Sequence, residues 1–111
     1  MTTETTDCCF IYMTAGSTEE ARRIGGALVE ERLAACVNVI EGMTSIYRWQ
    51  DEIRYDTEAV LIAKTARARV AALTERVKAL HSYTCPCVVA LNLEGGNDDF
   101  LSWIGEQTDE A

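Results

Sequence analysis

Ile46-Tyr47-Arg48-Trp49-Gln50-Asp51-Glu52-Ile53-Arg54-Tyr55 is the outer end of a β-hairpin whose length decides the fold. The chain reads as strand from Val37 to about Gln50, and again from about Glu52 to Thr65. Each arm holds roughly 14 residues, which at about 3.3 Å per residue extends about 45 Å. A compact chain of this size has a radius of gyration of about 13 Å and a diameter of about 35 Å. The hairpin must therefore bend, overhang its body, or both. In water, Ile46, Tyr47, Trp49, Ile53 and Tyr55 form an apolar patch flanked by open strand edges, a combination that folded proteins cover. A second copy of the same chain is the simplest cover, so the sequence predicts an obligate homo-oligomer.

The segments on either side complete the pattern. Upstream, Cys8 to Thr14 is a compact apolar run, read as a buried central strand. Ser17-Thr18-Glu19-Glu20 is a capping box, with the Ser17 hydroxyl accepting from the Glu20 amide while Glu20 reaches back. The helix it opens runs to about Leu33, with Ala21, Ile24, Ala27 and Leu28 facing inward. Within it, Gly25 and Gly26 each cost about 1 kcal/mol relative to alanine, which a closely packed neighbour would justify. Strand two begins at Cys36, and Glu41-Gly42 marks a bulge where the hairpin leaves its sheet. Downstream, a second helix spans about Arg67 to Leu80, with Val70, Leu73, Val77 and Leu80 on one stripe. His81 to Thr84 is a loop, and Pro86 opens the last strand, Cys87 to Leu93. After a turn at Glu94 to Asn97, Asp98 or Asp99 caps a short final helix through Trp103 and Ile104. The order is β-α-β-β-α-β, an α+β, ferredoxin-like arrangement with one long hairpin and a short C-terminal helix. It is one domain, 8–107, between a disordered tail at 1–7 and a C-terminal tail at 108–111.

Composition narrows the function. The formal charge of −8, from 18 acidic and 10 basic residues, argues against nucleic acid, whose recognition needs clustered Lys and Arg. No apolar run approaches the roughly 20 residues of a membrane span. The N-terminus lacks the basic start and apolar stretch of a signal peptide, so the expected location is cytoplasmic. The five cysteines, Cys8, Cys9, Cys36, Cys85 and Cys87, are then expected as free thiols. No catalytic set emerges: there is one histidine, no nucleophile–base pairing, and no phosphate-loop motif around Gly95-Gly96. A binding protein, not an enzyme, is expected.

The topology gathers candidate ligands. With a 4-1-3-2 strand order, strand four lies beside strand one, and helix two delivers His81 to the same end. Met13, His81, Cys85 and Cys87 then share one end of one sheet. Thioether, imidazole and thiolate ligands suit Cu(I), with Zn(II) as the competitor. The alternative is a histidine capping a helix C-terminus beside two small strand residues. Tyr47, Trp49, Tyr55, Tyr83 and Trp103 either line a ligand cleft between subunits or pack an interface. Lys64, ending the apolar strand Val60-Leu61-Ile62-Ala63, either binds an anion there or pairs with Glu58 across a subunit boundary.

Glu31-Arg32-Leu33-Ala34-Ala35-Cys36-Val37-Asn38, Thr44-Ser45-Ile46-Tyr47 with Trp49, Lys64-Thr65, His81 with Tyr83 and Pro86, and Leu101-Ser102-Trp103 closely resemble the CutA divalent-cation tolerance family. The resemblance covers nearly the whole chain. It implies a ferredoxin-like subunit in a tight homotrimer resembling the PII signalling proteins, with a role in tolerance to copper and other divalent metals. It places a soft ligand at Met13, before Thr14-Ala15, and the family histidine at His81. This chain departs from the family pattern at Ser82, where a proline is usual and whose loss loosens the loop. It also departs at Cys87, where an acid is common, at Arg48 for an aromatic, and at Asp51 for a glycine. The function implied is a copper- or other divalent-ion-binding tolerance trimer. The alternative is a PII-like regulatory trimer holding a small anionic ligand in an inter-subunit cleft.

Overall fold

The long hairpin governs the shape of the molecule. A computed structural model describes residues 6–109, with extents of 50 × 29 × 22 Å and a radius of gyration of 14.9 Å. The elements are β1 (Cys8–Ala15), α1 (Thr18–Glu30), β2 (Cys36–Trp49), β3 (Glu52–Ala66), a 3-10 turn (Arg67–Arg69), α2 (Val70–Leu80), β4 (Val88–Asn92) and α3 (Asp98–Gln107). One antiparallel sheet has the order β2-β3-β1-β4, the ferredoxin-like order expected. Pairing of β1 with β3 ends at Ala15 and Ala59, whereas β2 and β3 stay paired out to Trp49 and Glu52. Beyond Ala59 the hairpin is a two-stranded ribbon. The register shift between Ile40 and Met43 lies at this junction, with Gly42 at φ 78°. The ribbon closes through Gln50 and Asp51 at φ 50° and 66°, the signature of a two-residue type I′ turn.

Strand alternation sorts the side chains. Cys9, Ile11, Met13 and Ala15 of β1 join Ala59, Leu61 and Ala63 of β3 beneath Ile24, Leu28, Leu73 and Val77 of α1 and α2. The other face carries Phe10, Tyr12, Ile40, Ile62, Val89 and Leu91. Among the described residues, α3 closes the end of this face near the start of β1, where Ile104 and Leu101 pack with Cys8 and Ala35. Ile40, Val89 and Leu91 each remain about half exposed.

Local chemistry explains the element ends. Ser17 caps α1 and its Oγ accepts from the Glu20 amide at 3.1 Å. The helix stops at Glu30, not near Leu33. Arg32 takes the left-handed conformation at φ 61°. The Leu33 amide donates to the Leu28 carbonyl at 2.9 Å, and the Arg32 amide to the Val29 carbonyl at 3.1 Å, forming a Schellman motif. A Cβ on Gly25 would lie 3.0 Å from Val37 Cγ1, so β2 is the close neighbour that requires this glycine. Nothing crowds Gly26, and the structure gives no reason for it. The cap of α3 is Asn97, not Asp98 or Asp99, and its side chain accepts from the Asp99 amide at 3.0 Å. β4 begins at Val88, one residue later than expected. Pro86 has no N–H to donate, and the Thr14 carbonyl is already taken by His81 Nε2 at 2.7 Å. The expected tails at 1–7 and 108–111 fall largely outside the described residues. Of their described members, Thr6 and Asp7 bond to Leu93 and Arg67, and Thr108 is buried at the end of α3.

Candidate functional site

A cleft of about 460 Å³ opens between the ribbon and the loop before β4. Its lining is Thr14 from β1, Ser45, Tyr47 and Trp49 from β2, Arg54 and Glu58 from β3, and Tyr83, Thr84, Cys85 and Cys87 from the loop. The ribbon supplies one side chain in two because strand neighbours face opposite ways. Register places Ser45 opposite Asp56 and Tyr47 opposite Arg54, so all four share the cleft face with Glu58. Ile46 and Tyr55, paired with each other, point to the other face with Ile53, and all three are exposed.

Glu58 is the polar centre. It is 9% exposed, and its two carboxylate oxygens accept from Ser45 Oγ at 2.5 Å and from Tyr83 Oη at 2.6 Å. Burial first, and then the bond to Glu58, hold the Tyr83 hydroxyl well above the ordinary tyrosine range. The Tyr47 hydroxyl donates to Asp56, which likewise raises it. Arg54 lies 3.5 Å from Glu52.

The loop is fixed from behind by α1. Glu20, 8% exposed, accepts from the Ser82 amide at 2.7 Å, from Ser82 Oγ at 3.1 Å and from the Gly16 amide at 3.2 Å. The back-reach expected of the capping box therefore extends past Ser17 to Gly16. Burial works to raise the Glu20 carboxyl, but the Ser82 and Gly16 donors and nearby His81 outweigh it, leaving it below the ordinary glutamate range. His81 Nε2 donates to the Thr14 carbonyl, while Nδ1 accepts from the Tyr83 amide at 3.0 Å. The Tyr83 ring stacks obliquely on His81 with centroids 4.6 Å apart. Ser82, expected to loosen the loop, supplies two of the bonds that hold it.

The predicted ligands do reach one end of the sheet, but on different faces. Met13 is 1% exposed within the core, because its partners Leu61 and Val88 face the helices. Both ring nitrogens of His81 are committed, and its side chain is 1% exposed. Cys85 and Cys87 face the cleft, where burial first, and then the Glu58 charge, push the Cys87 thiol up. Among the described residues, no three His, Cys, Asp or Glu side chains converge as metal ligands would.

Of the seven residues expected to line a cleft, Tyr47, Trp49, Glu58 and Tyr83 line this one, whereas Tyr55 points to the other face of the ribbon. Lys64 does not; it pairs with Cys36 at the opposite end of β3 and donates to Asn38 Oδ1 at 2.5 Å. Nor does Trp103, which stacks on Phe100 within α3 at 5.5 Å. Sequence reasoning missed Thr14, Ser45, Arg54, Thr84 and the role of Glu20. Period-two counting from Tyr47 and Glu58 would have found Ser45 and Arg54.

A family model described as CutA1 divalent ion tolerance protein matches residues 9–107. The divalent-cation tolerance protein CutA of Thermus thermophilus is 53% identical over 98 residues, covering 88% of this chain and 95% of that one. The rice protein CutA 1, chloroplastic, is 40% identical over 110 residues; these are 99% of this chain and 62% of that relative. A solved structure, the periplasmic divalent cation tolerance protein CutA from Archaeoglobus fulgidus, superposes with a TM-score of 0.89. It is 44% identical and covers 92% of this chain and 99% of that one.

Proposed function

The chain belongs to the CutA1 divalent ion tolerance family, and from that premise we propose that it is a homotrimeric metal-binding protein whose ion sits on the cleft thiols. The observation that carries this reading is that Cys85 and Cys87, two residues apart, both line one cleft. A thiolate pair suits a soft ion of low coordination number, which favours copper as Cu(I). Met13 and His81 leave the ligand set, one packed in the core and the other spent on hydrogen bonds. Binding must displace the thiol protons, so it strengthens as pH rises. Titrating Cu(I) into reduced protein against a competing chelator tests this. Cys85→Ser and Cys87→Ser each weaken binding, while His81→Ala leaves it unchanged. A Cys85→Ser/Cys87→Ser protein that binds as tightly as the parent rejects the site.

The trimer is supported by the sheet face carrying Phe10, Tyr12, Ile62, Val89 and Leu91, and by the exposed Ile46, Ile53 and Tyr55 of the ribbon. Sedimentation at micromolar concentration checks it, and a stable monomer rejects it. We place the protein in the cytoplasm, where its thiols stay reduced; recovery in a membrane or exported fraction counts against this. In this reading the protein binds and does not catalyse.

A second reading, a PII-like regulatory trimer, is favoured by the cleft itself, whose volume lies within the range of small-molecule sites and whose wall is the hairpin. Its ligand would bias the hairpin and so a partner. Lys64, the cation expected to hold its anion, lies outside the cleft of a single chain, so in this reading it would come from a neighbouring subunit.

A further inference from the structure

We infer that the cleft selects a small organic cation, an ammonium or guanidinium carried on a flat or apolar body. This rests on the cleft being a small-molecule site that stays open in the trimer, and its argument does not use the copper reading. Three observations converge on it. First, the buried charge of the cleft is negative: Glu58 is nine-tenths buried, and the exposed Asp56, bonded to Tyr47, lies two residues along the same face of the ribbon. The one cation of the lining, Arg54, already has Glu52 at 3.5 Å. Second, Glu58 retains acceptor capacity. An ionised carboxylate offers roughly four lone-pair positions, and Ser45 and Tyr83 occupy one on each oxygen. These two donors also fix the carboxylate in place, so it need not be ordered when a ligand arrives. Third, the walls are aromatic. Tyr47, Trp49 and Tyr83 line the cleft, and ring faces attract a cation close to them. An anion meets a fixed carboxylate there, and a neutral molecule gains only the apolar contact.

Benzylammonium, benzyl alcohol and benzoate share a shape and differ in charge, so they serve as probes. Calorimetry with the reduced, full-length protein should show benzylammonium binding at least tenfold tighter than the alcohol or benzoate. A Trp103→Phe background leaves Trp49 as the sole tryptophan and gives a fluorescence readout from the cleft wall. Glu58→Gln, which keeps the shape and one acceptor oxygen while its NH2 can donate to the other hydroxyl, should erase the preference for charge. Trp49→Leu, near the tip of the ribbon, should weaken benzylammonium more than benzyl alcohol and covers the case that the Glu58 variant fails to fold. Equal or tighter binding of benzoate, or a charge preference that survives Glu58→Gln, overturns the inference while leaving a small-molecule site standing. If no probe binds at millimolar concentration, the inference and the regulatory reading fall together, whatever the copper titration shows.

Discussion

Replacing Gly26 by alanine should stabilise the protein, and the same replacement one residue earlier should destabilise it. Both glycines lie in the middle of α1, so both substitutions gain about 1 kcal/mol of helix propensity. At Gly26 nothing else changes, because a Cβ there meets no atom within 4 Å. At Gly25 the new Cβ meets Val37 Cγ1 at 3.0 Å and Val37 Cβ at 3.4 Å. Carbon atoms settle at about 3.5–4.0 Å, so the neighbours must part by about half an ångström. Valine is stiff at χ1 and cannot swing aside. Overpacking of this kind costs about 1–3 kcal/mol, which cancels or exceeds the propensity gain. The two variants should therefore differ by about 2 kcal/mol in urea unfolding. Protomer concentration must be held fixed, since an oligomer's midpoint moves with it. Val37→Ala in the Gly25→Ala background should recover part of the loss, a coupling absent at Gly26. If Gly25→Ala stabilises as much as Gly26→Ala, the close approach of α1 to β2 is wrong.

Three further outcomes follow from the same geometry. Asp51 holds φ 66° in the hairpin turn, where a side chain costs about 1–2 kcal/mol, so Asp51→Gly should raise the urea midpoint; a lower midpoint contradicts the turn. Because Tyr83 is raised above the ordinary 10.0, its contribution to stability is complete below about pH 10 and fades as pH climbs toward its folded value. Tyr83→Phe should remove the last phenol to ionise in an ultraviolet titration, and an unchanged titration counts against the Glu58 bond. Glu20 runs the other way: lowered from 4.5, it stabilises above about pH 4.5, and that contribution is lost as pH falls through the folded value. Ser82→Pro removes two donors and should move Glu20, followed by carboxyl NMR, up toward its ordinary range; an unmoved titration contradicts the clamp.

Much of the fold was legible because its signals are local. Arm length, the glycine at the bulge and the capping box each sit in a few consecutive residues. The helix end was less legible because Arg32, not a glycine, takes the left-handed position. The site was harder because it depends on parity and distance together. Met13 and Cys87 lie at the same end of the sheet, as topology requires. Yet Met13 pairs with Val88, and Cys87, one residue earlier, faces the opposite side; a single step along a strand exchanges faces. Lys64 shares its face with Glu58 but lies six residues away, about 20 Å along an extended strand, so within one chain it is outside the cleft, and the pair expected of it is with Glu58 of a neighbouring subunit.

Ser82 shows how a departure from a family pattern can strengthen a different device. A proline at that position would stiffen the loop through its ring but has no N–H to donate. Serine gives up that stiffness and supplies both an amide and a hydroxyl to Glu20. Glu20 is anchored in turn by the start of α1, through its own capping bond to Ser17. The next residue, Tyr83, reaches Glu58 on the ribbon, and His81 ties the loop to the end of β1. Three consecutive side chains therefore connect α1, β1 and the hairpin, with the cleft at their junction. A ligand taking the lone pairs that Ser45 and Tyr83 leave on Glu58 shares its carboxylate with the Tyr83 bond, so occupancy of the cleft and the seating of the loop on the hairpin are physically coupled. Whether copper or an organic cation is the occupant, this loop is the route by which binding reaches the ribbon that another subunit would cover.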